Sequence, residues 1–178
     1  LKYMTVYAFS TENWKRPQKE VDAIMKLFDD YIEECFLEME EDNVHFRFIG
    51  NLSVFPEATQ RKMEKIDRET AHKPFLLNIA VNYGGREEIA HACNALIREG
   101  KTEVTEADIG RHLYTLDCPD PDLIVRTGGD YRSSNFLLWQ SAYAEYYFTP
   151  TLWPDYSPAD VDEAVAVFYG RKRRFGGL

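Results

Sequence analysis

Short apolar runs alternate along the chain with longer segments in which apolar residues recur every three or four positions. The short runs are rich in β-branched and aromatic residues and predict strands at residues 3–9, 43–50, 75–81 and 122–125. The periodic segments predict helices at residues 17–39, about 56–71 and about 86–99. Strands that alternate with helices, without hairpin signals, indicate one α/β domain over residues 1–178 with a central, mostly parallel sheet flanked by helices.

Two helix starts are marked by capping residues. Thr105 and Asp108 have the spacing of a capping box and predict a short helix after them. Ser157 followed by Pro158 predicts the start of a last helix, because serine caps a helix and proline suits its first turn.

The net charge of −9 is concentrated in one segment. Residues 20–42 hold ten acidic residues and one basic residue, so the rest of the chain is neutral. A general nucleic-acid surface is therefore not expected, although a few local arginines could still bind a small anion. The acidic residues lie mostly off the apolar stripe of the helix at 17–39, as expected for its solvated face.

That helix carries the longest apolar stripe of the chain, formed by Val21, Ile24, Phe28, Ile32, Cys35 and Met39. The stripe predicts either ordinary core or the wall of a long apolar cavity, and periodicity alone does not separate the two. No apolar run is long enough to span a membrane. The three cysteines and four histidines show no metal-ligand spacing, and the cysteine usage fits a reducing compartment.

Polar donors follow two of the predicted strands, where a parallel sheet binds its ligands. The segment at 10–17 offers Ser10, Thr11, Asn13 and Arg16 as donors, with Trp14 as an apolar wall. Its structural alternative is helix capping, since Ser, Thr and Asn commonly precede a helix that begins near a proline.

A second donor segment spans residues 126–135. Arg126 and Arg132 are fork-shaped donors suited to phosphate, and Ser133 and Ser134 add hydroxyl groups. The glycine pair at 128–129 could turn the backbone so that its N–H groups face outward and bind an anion. A structural ion pair between Asp130 and an arginine is the alternative.

Two further segments have mixed interpretations. The glycines at 84–85, between Asn82 and Arg86, predict a tight turn into a helix. Glu145 lies in an aromatic stretch, where a carboxylate is costly to bury unless it is paired. A salt bridge to an arginine and a Mg²⁺ shared with a phosphate both remain open for Glu145.

Together these segments resemble the cis-prenyltransferase family, most closely the bacterial undecaprenyl diphosphate synthases. The matching stretches are YAFSTENWKRP, LNIAVNYGGREEI, DLIVRTGGDYRSSNFLLWQSAYAEYYFTPTLWPD and RKRRFGG. They occur in the family's order and cover most of the 178 residues. The resemblance implies magnesium-dependent condensation of isopentenyl diphosphate units onto an allylic diphosphate, with farnesyl diphosphate as the expected primer. The product would be a long-chain polyprenyl diphosphate, built in an apolar tunnel as the precursor of a lipid carrier for cell wall biogenesis.

The resemblance also assigns roles to individual residues. The family's substrate-site positions fall on Ser10, Thr11, Glu12, Trp14 and Arg16. Its diphosphate site for the incoming isopentenyl unit falls on Arg126, Arg132, Ser133 and Ser134. Asn13 matches a position usually given a proton-accepting catalytic role, and Glu145 matches a Mg²⁺ position. Because an amide is a poor base, we expect Asn13 to orient a proton transfer that a diphosphate oxygen accepts. Arg174 and Gly176 match a C-terminal motif that reaches the partner subunit's active site, which implies a homodimer.

Two departures from the family pattern accompany these expectations. The family's N-terminal strand and phosphate loop, with an Asp that helps bind magnesium, would lie upstream of Leu1, so we expect residues 1–178 to lack part of the site. Position 131 is Tyr where relatives often carry His, so it receives no metal role. We expect a cytoplasmic protein that delivers its product to the membrane, with peripheral association left open.

Two other functions compete with this interpretation. One is a non-catalytic partner subunit of a heteromeric cis-prenyltransferase. Such subunits tend to lose substrate-loop residues, whereas Asn13, Arg126, Arg132 and Ser134 are all present. The other is a phosphate-binding hydrolase or nucleotide binder, and the chain has neither a Walker loop nor a nucleophile elbow.

Overall fold

The computed structural model describes residues 1–38 and 43–171, and the chain divides into two compact units, Leu1–Cys118 and Pro119–Leu178. The strands are β1 (Tyr3–Ser10), β2 (Val44–Ile49), β3 (Phe75–Tyr83), β4 (Leu123–Arg126) and β5 (Glu145–Phe148). The helices are α1 (Gln18–Glu38), α2 (Glu57–Thr70), α3 (Gly85–Arg98), α4 (Glu106–Gly110) and α5 (Pro158–Gly170). Every predicted strand and helix is therefore present, with ends shifted by one or two residues. The single domain over residues 1–178 stays a prediction.

The first unit is built on a three-stranded parallel sheet with the order β1-β3-β2. The central strand, β3, is a nearly continuous apolar run, and most of its residues are buried. Such a run is expected for a parallel strand whose two faces are both covered. Parallel pairing brings the carboxyl ends of β1, β2 and β3 to the same edge of this sheet.

One face of the sheet packs against α1 and α2 to form the main apolar core. From the sheet this core takes Phe46, Phe48, Ile79 and Val81, and from the two helices it takes Val21, Phe28, Ile32, Cys35, Met63 and Ile66. The Phe28 ring lies 5.5 Å from the ring of Phe55 and 6.1 Å from that of Phe48, measured between centroids. Phe28 is therefore part of this apolar core. A product tunnel along this helix remains a prediction.

The second unit contains a strand that the sequence pattern did not predict. The strand β5 pairs in parallel with β4, with Leu123 opposite Glu145 and Arg126 opposite Phe148. Its four residues include three aromatic side chains, and the periodicity of so short a segment is too weak to separate a strand from other core structure. All strand pairs in the described residues are parallel, which confirms the predicted α/β class with a parallel sheet.

The predicted capping box at Thr105 is present, and the predicted cap Ser157 also forms a capping box, with Asp160. The Ser157 N–H donates to Oδ2 of Asp160 at 2.7 Å, and the Thr105 N–H donates to Oδ2 of Asp108 at 3.0 Å. The hydrogen bond from the Ser157 hydroxyl holds the pKa of Asp160 below its usual range. Among the described residues, no helix combines the length and the hydropathy that crossing a membrane would require.

A close backbone contact joins the ends of β2 and β3. Gly50 has a φ of +123°, and a Cβ placed on it would lie 2.2 Å from the carbonyl oxygen of Val81. The Asn51 N–H also donates to the carbonyl of Asn82 at 3.2 Å. Only glycine therefore fits at position 50, because both its φ and its available space exclude a side chain.

We predict that Gly50→Ala destabilises the protein far more than the matched variant Gly100→Ala. Both glycines have positive φ, so each substitution incurs strain of about 1–2 kcal/mol. A Cβ on Gly100 would meet nothing within 4 Å, whereas one on Gly50 would add an overpacking cost of about 1–3 kcal/mol. Denaturant unfolding of both variants measures the difference. Equal losses of free energy of unfolding would show that the contact with Val81 is not close in solution.

Candidate active site

The first donor loop is the segment Ser10–Arg16 at the carboxyl end of β1. After β1 the chain forms a single 3₁₀ turn over Thr11–Lys15. The Ser10 N–H donates to Oδ1 of Asn13 at 2.8 Å, so Asn13 caps the start of this turn. The segment therefore has a capping role, although the element it caps is this 3₁₀ turn and not the helix that follows Pro17. The capping role does not compete with a binding role, since only the oxygen of the amide is used in this bond.

The amide of Asn13 is oriented by that hydrogen bond. A backbone N–H can pair only with the oxygen of the side-chain amide, so the NH₂ group of Asn13 is left as a hydrogen-bond donor. Asn13 can therefore donate to a ligand oxygen, and its geometry is unsuited to accepting a proton. This arrangement agrees with an orienting role for Asn13.

Trp14 is held by a residue that the sequence pattern assigned only to a turn. Its indole N–H donates to Oδ1 of Asn82 at 2.7 Å, and its ring meets Phe9 edge to face at 5.1 Å. The side chain of Asn82 also donates to the carbonyl of Asn51 at 2.7 Å. Asn82 is therefore a site-supporting residue that sequence reasoning missed. Its one local signal is an asparagine before two glycines, which is also the signal of a plain turn.

Charges around the first donor loop are mixed. Arg16 forms an exposed ion pair with Glu20 at 2.7 Å, and the Thr11 hydroxyl donates to Glu12 at 3.2 Å. Burial of the phenol and the negative charge of Glu12 raise the pKa of Tyr7 to about 12. Tyr7 is therefore neutral at physiological pH, and its hydroxyl donates to the carbonyl of Tyr83 at 3.0 Å.

The second donor loop, Arg126–Asn135, begins at the last residue of β4. Two arginines share one carboxylate oxygen there: Oδ2 of Asp130 accepts from Arg126 at 3.0 Å and from Arg132 at 2.5 Å. Arg126 also donates to the Ser134 hydroxyl at 2.8 Å. The ion-pair alternative is therefore observed. The cluster of two arginines and one aspartate carries one net positive charge, and both guanidinium groups retain further N–H donors.

The predicted backbone nest at the glycine pair is wrong. The Gly128 N–H donates to the carbonyl of Thr151 at 2.8 Å, and the Gly129 N–H donates to that of Thr149 at 2.9 Å. Both glycines have positive φ, so they make the turn that was expected. Their N–H groups point at the chain that follows β5 and are not offered to an anion.

Backbone strain is concentrated just after the second arginine. Ser134, Asn135 and Leu137 have φ values of +50°, +65° and +45°, a conformation that non-glycine residues rarely adopt. Strain of this kind tends to be retained where the exact placement of side chains serves function. The strained turn fixes the Ser134 hydroxyl against Arg126.

Glu145 lies apart from the second donor loop. The strand register places it opposite Leu123, at the amino end of the β4–β5 pair, whereas Arg126 lies at the carboxyl end. Three residues along a strand span about 10 Å, so Glu145 and Arg126 are not brought together within this unit. Glu145 instead accepts from Arg171 at 2.7 Å, and Arg171 also donates to the carbonyl of Tyr146 at 2.9 Å.

The remaining predicted residues complete this picture. Ser133 lies half-buried beside Ser134, and its carbonyl accepts from the N–H of Phe136 at 3.1 Å. Tyr131 is largely exposed and packs its ring 5.1 Å from that of Phe148. Arg174 and Gly176 lie outside the described residues. The structure thus groups the predicted site residues into one cluster in each unit, with Glu145 separate.

A parallel α/β fold with guanidinium, amide and hydroxyl donors at the carboxyl ends of its strands is typical of proteins that bind phosphorylated ligands. Comparison with known families is more specific. Residues 1–176 match the family model described as putative undecaprenyl diphosphate synthase. The chain belongs to this family, which confirms the resemblance seen in the sequence.

Curated relatives give the same assignment. A protein of Fusobacterium nucleatum named isoprenyl transferase is 49% identical over 179 residues, covering 100% of this chain and 77% of the relative. An isoprenyl transferase of Neisseria meningitidis is 46% identical over 177 residues, covering 99% of this chain and 71% of the relative. The chain is therefore a prenyltransferase, and these matches do not favour the alternative of a non-catalytic partner subunit.

Solved structures are similar over nearly the whole chain. A probable undecaprenyl diphosphate synthase from Campylobacter jejuni matches with a TM-score of 0.89 and 37% identity, covering 99% of this chain and 84% of that one. Lavandulyl diphosphate synthase from Lavandula x intermedia, solved with dimethylallyl diphosphate, matches with a TM-score of 0.90 and 34% identity. That alignment covers 99% of this chain and 80% of that one.

Proposed function

We propose that this prenyltransferase condenses isopentenyl diphosphate units onto an allylic diphosphate, with cis double bonds, to make a long-chain polyprenyl diphosphate. The family match over residues 1–176 carries the proposal. The two donor loops support it, because a reaction between two diphosphates needs two sets of phosphate-suited donors. In each condensation the carbon–oxygen bond of the allylic diphosphate breaks, a carbon–carbon bond forms, and the isopentenyl unit loses a proton.

The second donor loop is proposed to bind the diphosphate of the isopentenyl unit through Arg126, Arg132, Ser133 and Ser134. Asp130 holds the two guanidinium groups at one point before the ligand arrives, so little side-chain entropy is lost on binding. The net positive charge of the cluster favours a diphosphate, and fork-shaped donors match its oxygens.

The first donor loop is proposed to bind the allylic diphosphate with Ser10, Thr11, Glu12, Trp14 and Arg16. Negative charge builds up on the departing diphosphate, so donors aimed at its oxygens stabilise the transition state. The NH₂ group of Asn13 is suited to this task because its oxygen is held by the Ser10 N–H. We propose that Asn13 orients a diphosphate oxygen, and that this oxygen accepts the proton.

Magnesium is proposed to bind at Glu145. The described residues contain no group of three or more His, Cys, Asp or Glu side chains that could hold a metal by themselves. Magnesium is nevertheless commonly held by one or two carboxylates together with substrate phosphates, so a single glutamate fits this mode. When bound, the ion would neutralise charge on the leaving diphosphate. In the free protein, Oε2 of the Glu145 carboxylate accepts from Arg171.

The subunit arrangement and location remain proposals as well. We propose a homodimer in which Arg174 and Gly176 complete the partner subunit's active site. Glu145 contacts Arg171, only three residues before Arg174, and lies about 10 Å along the strands from Arg126. Glu145 is therefore proposed to serve the partner subunit's site too. Farnesyl diphosphate as primer, a cytoplasmic location and delivery of the product to the membrane complete the proposal.

The direct test is incorporation of radiolabelled isopentenyl diphosphate by the natural full-length protein with farnesyl diphosphate and Mg²⁺. Thin-layer chromatography of the dephosphorylated products reports chain length, and a trans-specific product or no product at all would contradict the proposal.

We predict that Arg132→Ala raises the KM for isopentenyl diphosphate strongly. A charge-assisted hydrogen bond to phosphate contributes about 1.5–3 kcal/mol. Arg111→Ala is a matched control, because Arg111 is similarly exposed and also pairs with an aspartate, Asp108, outside both donor loops. An unchanged KM in Arg132→Ala, or equal changes in both variants, would refute the assignment of the second donor loop.

We predict that Asn13→Asp keeps the melting temperature of the protein but lowers kcat by about ten-fold or more. Aspartate retains the oxygen that accepts the Ser10 N–H, and it loses the NH₂ donor. Asn13→Ala removes both, so it should lower kcat and also the melting temperature. Normal turnover in Asn13→Asp would show that Asn13 is only a cap.

We predict that Glu145→Gln raises the Mg²⁺ concentration for half-maximal activity, while Arg171→Gln does not raise it. Both variants break the ion pair, but only the first removes the metal-binding carboxylate. Identical Mg²⁺ titrations in the two variants would favour a purely structural salt bridge.

We also predict that mixing Glu145→Gln subunits with Arg132→Ala subunits restores activity. If Glu145 serves the partner subunit's site, one of the two sites in a mixed dimer has both residues intact.

A further inference from the structure

We infer that Asn82 is a positioning residue for the prenyl-transfer reaction, which fixes Trp14 and thereby the first donor loop. This inference rests on the proposed function of that loop. The observation that carries it is a hydrogen bond between residues 68 positions apart, from the indole N–H of Trp14 to Oδ1 of Asn82 at 2.7 Å. The side chain of Asn82 has no contact with a substrate to make, because it is only 4% exposed.

The backbone of Asn82 is strained in a way that serves this contact. Its φ is +46°, whereas a strand residue has a strongly negative φ. Asn82 lies within β3, so the left-handed conformation interrupts the alternation of side chains just before the strand ends. Asparagine tolerates this conformation better than most residues, and strain of this kind is commonly retained at functional sites.

Asn82 joins the ends of all three strands of the first unit. Its Nδ2 donates to the carbonyl of Asn51 at 2.7 Å, and its own carbonyl accepts the Asn51 N–H at 3.2 Å. These bonds anchor Asn82 to the end of β2, while its Oδ1 reaches the loop after β1. Gly50 allows the approach, because a Cβ there would lie 3.1 Å from the Asn82 carbonyl oxygen and closer still to that of Val81.

Trp14 transmits this anchoring to the reacting groups. It is the residue after Asn13, within the 3₁₀ turn whose start is capped reciprocally by Ser10 and Asn13. Trp14 is 42% exposed, so packing alone holds its side chain weakly. The Ser10–Asn13 cap fixes the start of the turn, and the hydrogen bond to Asn82 fixes the turn at Trp14.

The test uses a double-mutant cycle between positions 82 and 14 in the natural full-length protein. Asn82→Gly removes the side chain and accommodates positive φ, and Trp14→Phe removes the indole N–H but keeps an aromatic ring. We expect each single variant to lower kcat about ten-fold, and the double variant to lower it about ten-fold as well, since all three lack the Trp14–Asn82 hydrogen bond. A loss of about one hundred-fold in the double variant, as independent effects would give, overturns the inference.

Asp117→Gly is the matched control for backbone flexibility. Asp117 is exposed, lies in the same unit and also has a positive φ of +67°. We expect its kcat to equal that of the unmodified protein. If kcat in Asp117→Gly falls as far as in Asn82→Gly, loop flexibility explains the effect and the inference is overturned.

A second readout does not depend on activity. The indole N–H signal of Trp14 in a proton–nitrogen NMR spectrum, assigned by its loss in Trp14→Phe, should move upfield and exchange faster with solvent in Asn82→Gly. Asn82→Asp keeps the accepting oxygen, so it should retain the signal. An unmoved signal in Asn82→Gly overturns the inference. If the protein makes no polyprenyl product, the proposed function fails, while this measurement still reports whether the contact exists.

Discussion

Parallel pairing of β1 and β2 on either side of β3 is the constraint on which the first unit depends. Because the three strands are parallel, all of them end at the same edge of the sheet, so the loops that follow them must share a small space. The close approach of Gly50 to the Val81 carbonyl and the bonds of Asn82 are consequences of this crowding. The first donor loop lies at this edge, where hydrogen bonds to the backbone and to buried side chains hold it, so it does not need a large apolar core of its own.

Several of the predicted functional groups in the described part of the chain are already paired inside the protein. Asn13 caps its own turn, Arg126 and Arg132 share Asp130, and Glu145 accepts from Arg171. A charged or polar side chain without a partner would be mobile, or would cost free energy if it were buried. These internal bonds therefore keep the donors in place. They also leave specific groups for a ligand: the amide NH₂ of Asn13 and further guanidinium N–H groups. Structural pairing and binding are therefore compatible roles of the same residues.

The sequence pattern predicted local structure well because local structure depends on neighbouring residues. The boxes at Thr105 and Ser157 are formed within four residues, and the helices follow the apolar periodicity. The strand β5 escaped prediction because four residues rich in aromatics carry no distinctive period. The glycine nest was predicted wrongly for a related reason. Two glycines specify a turn, but the carbonyls of Thr149 and Thr151 that bind their N–H groups come from the chain that follows β5, about twenty residues away.

The sequence by itself determined the parallel α/β class, the positions of the helices and of every strand except β5, and the family. Long motif stretches in a fixed order are specific even without coordinates. It also pointed to the residue types that suit diphosphate. Only the tertiary structure decided which partners those residues have: Asp130 between two arginines, Arg171 on Glu145, and Asn82 on Trp14. The physical reason is that such partners are set by strand register and by where loops leave a sheet. A contact across 68 residues, as between Trp14 and Asn82, leaves no trace in local periodicity.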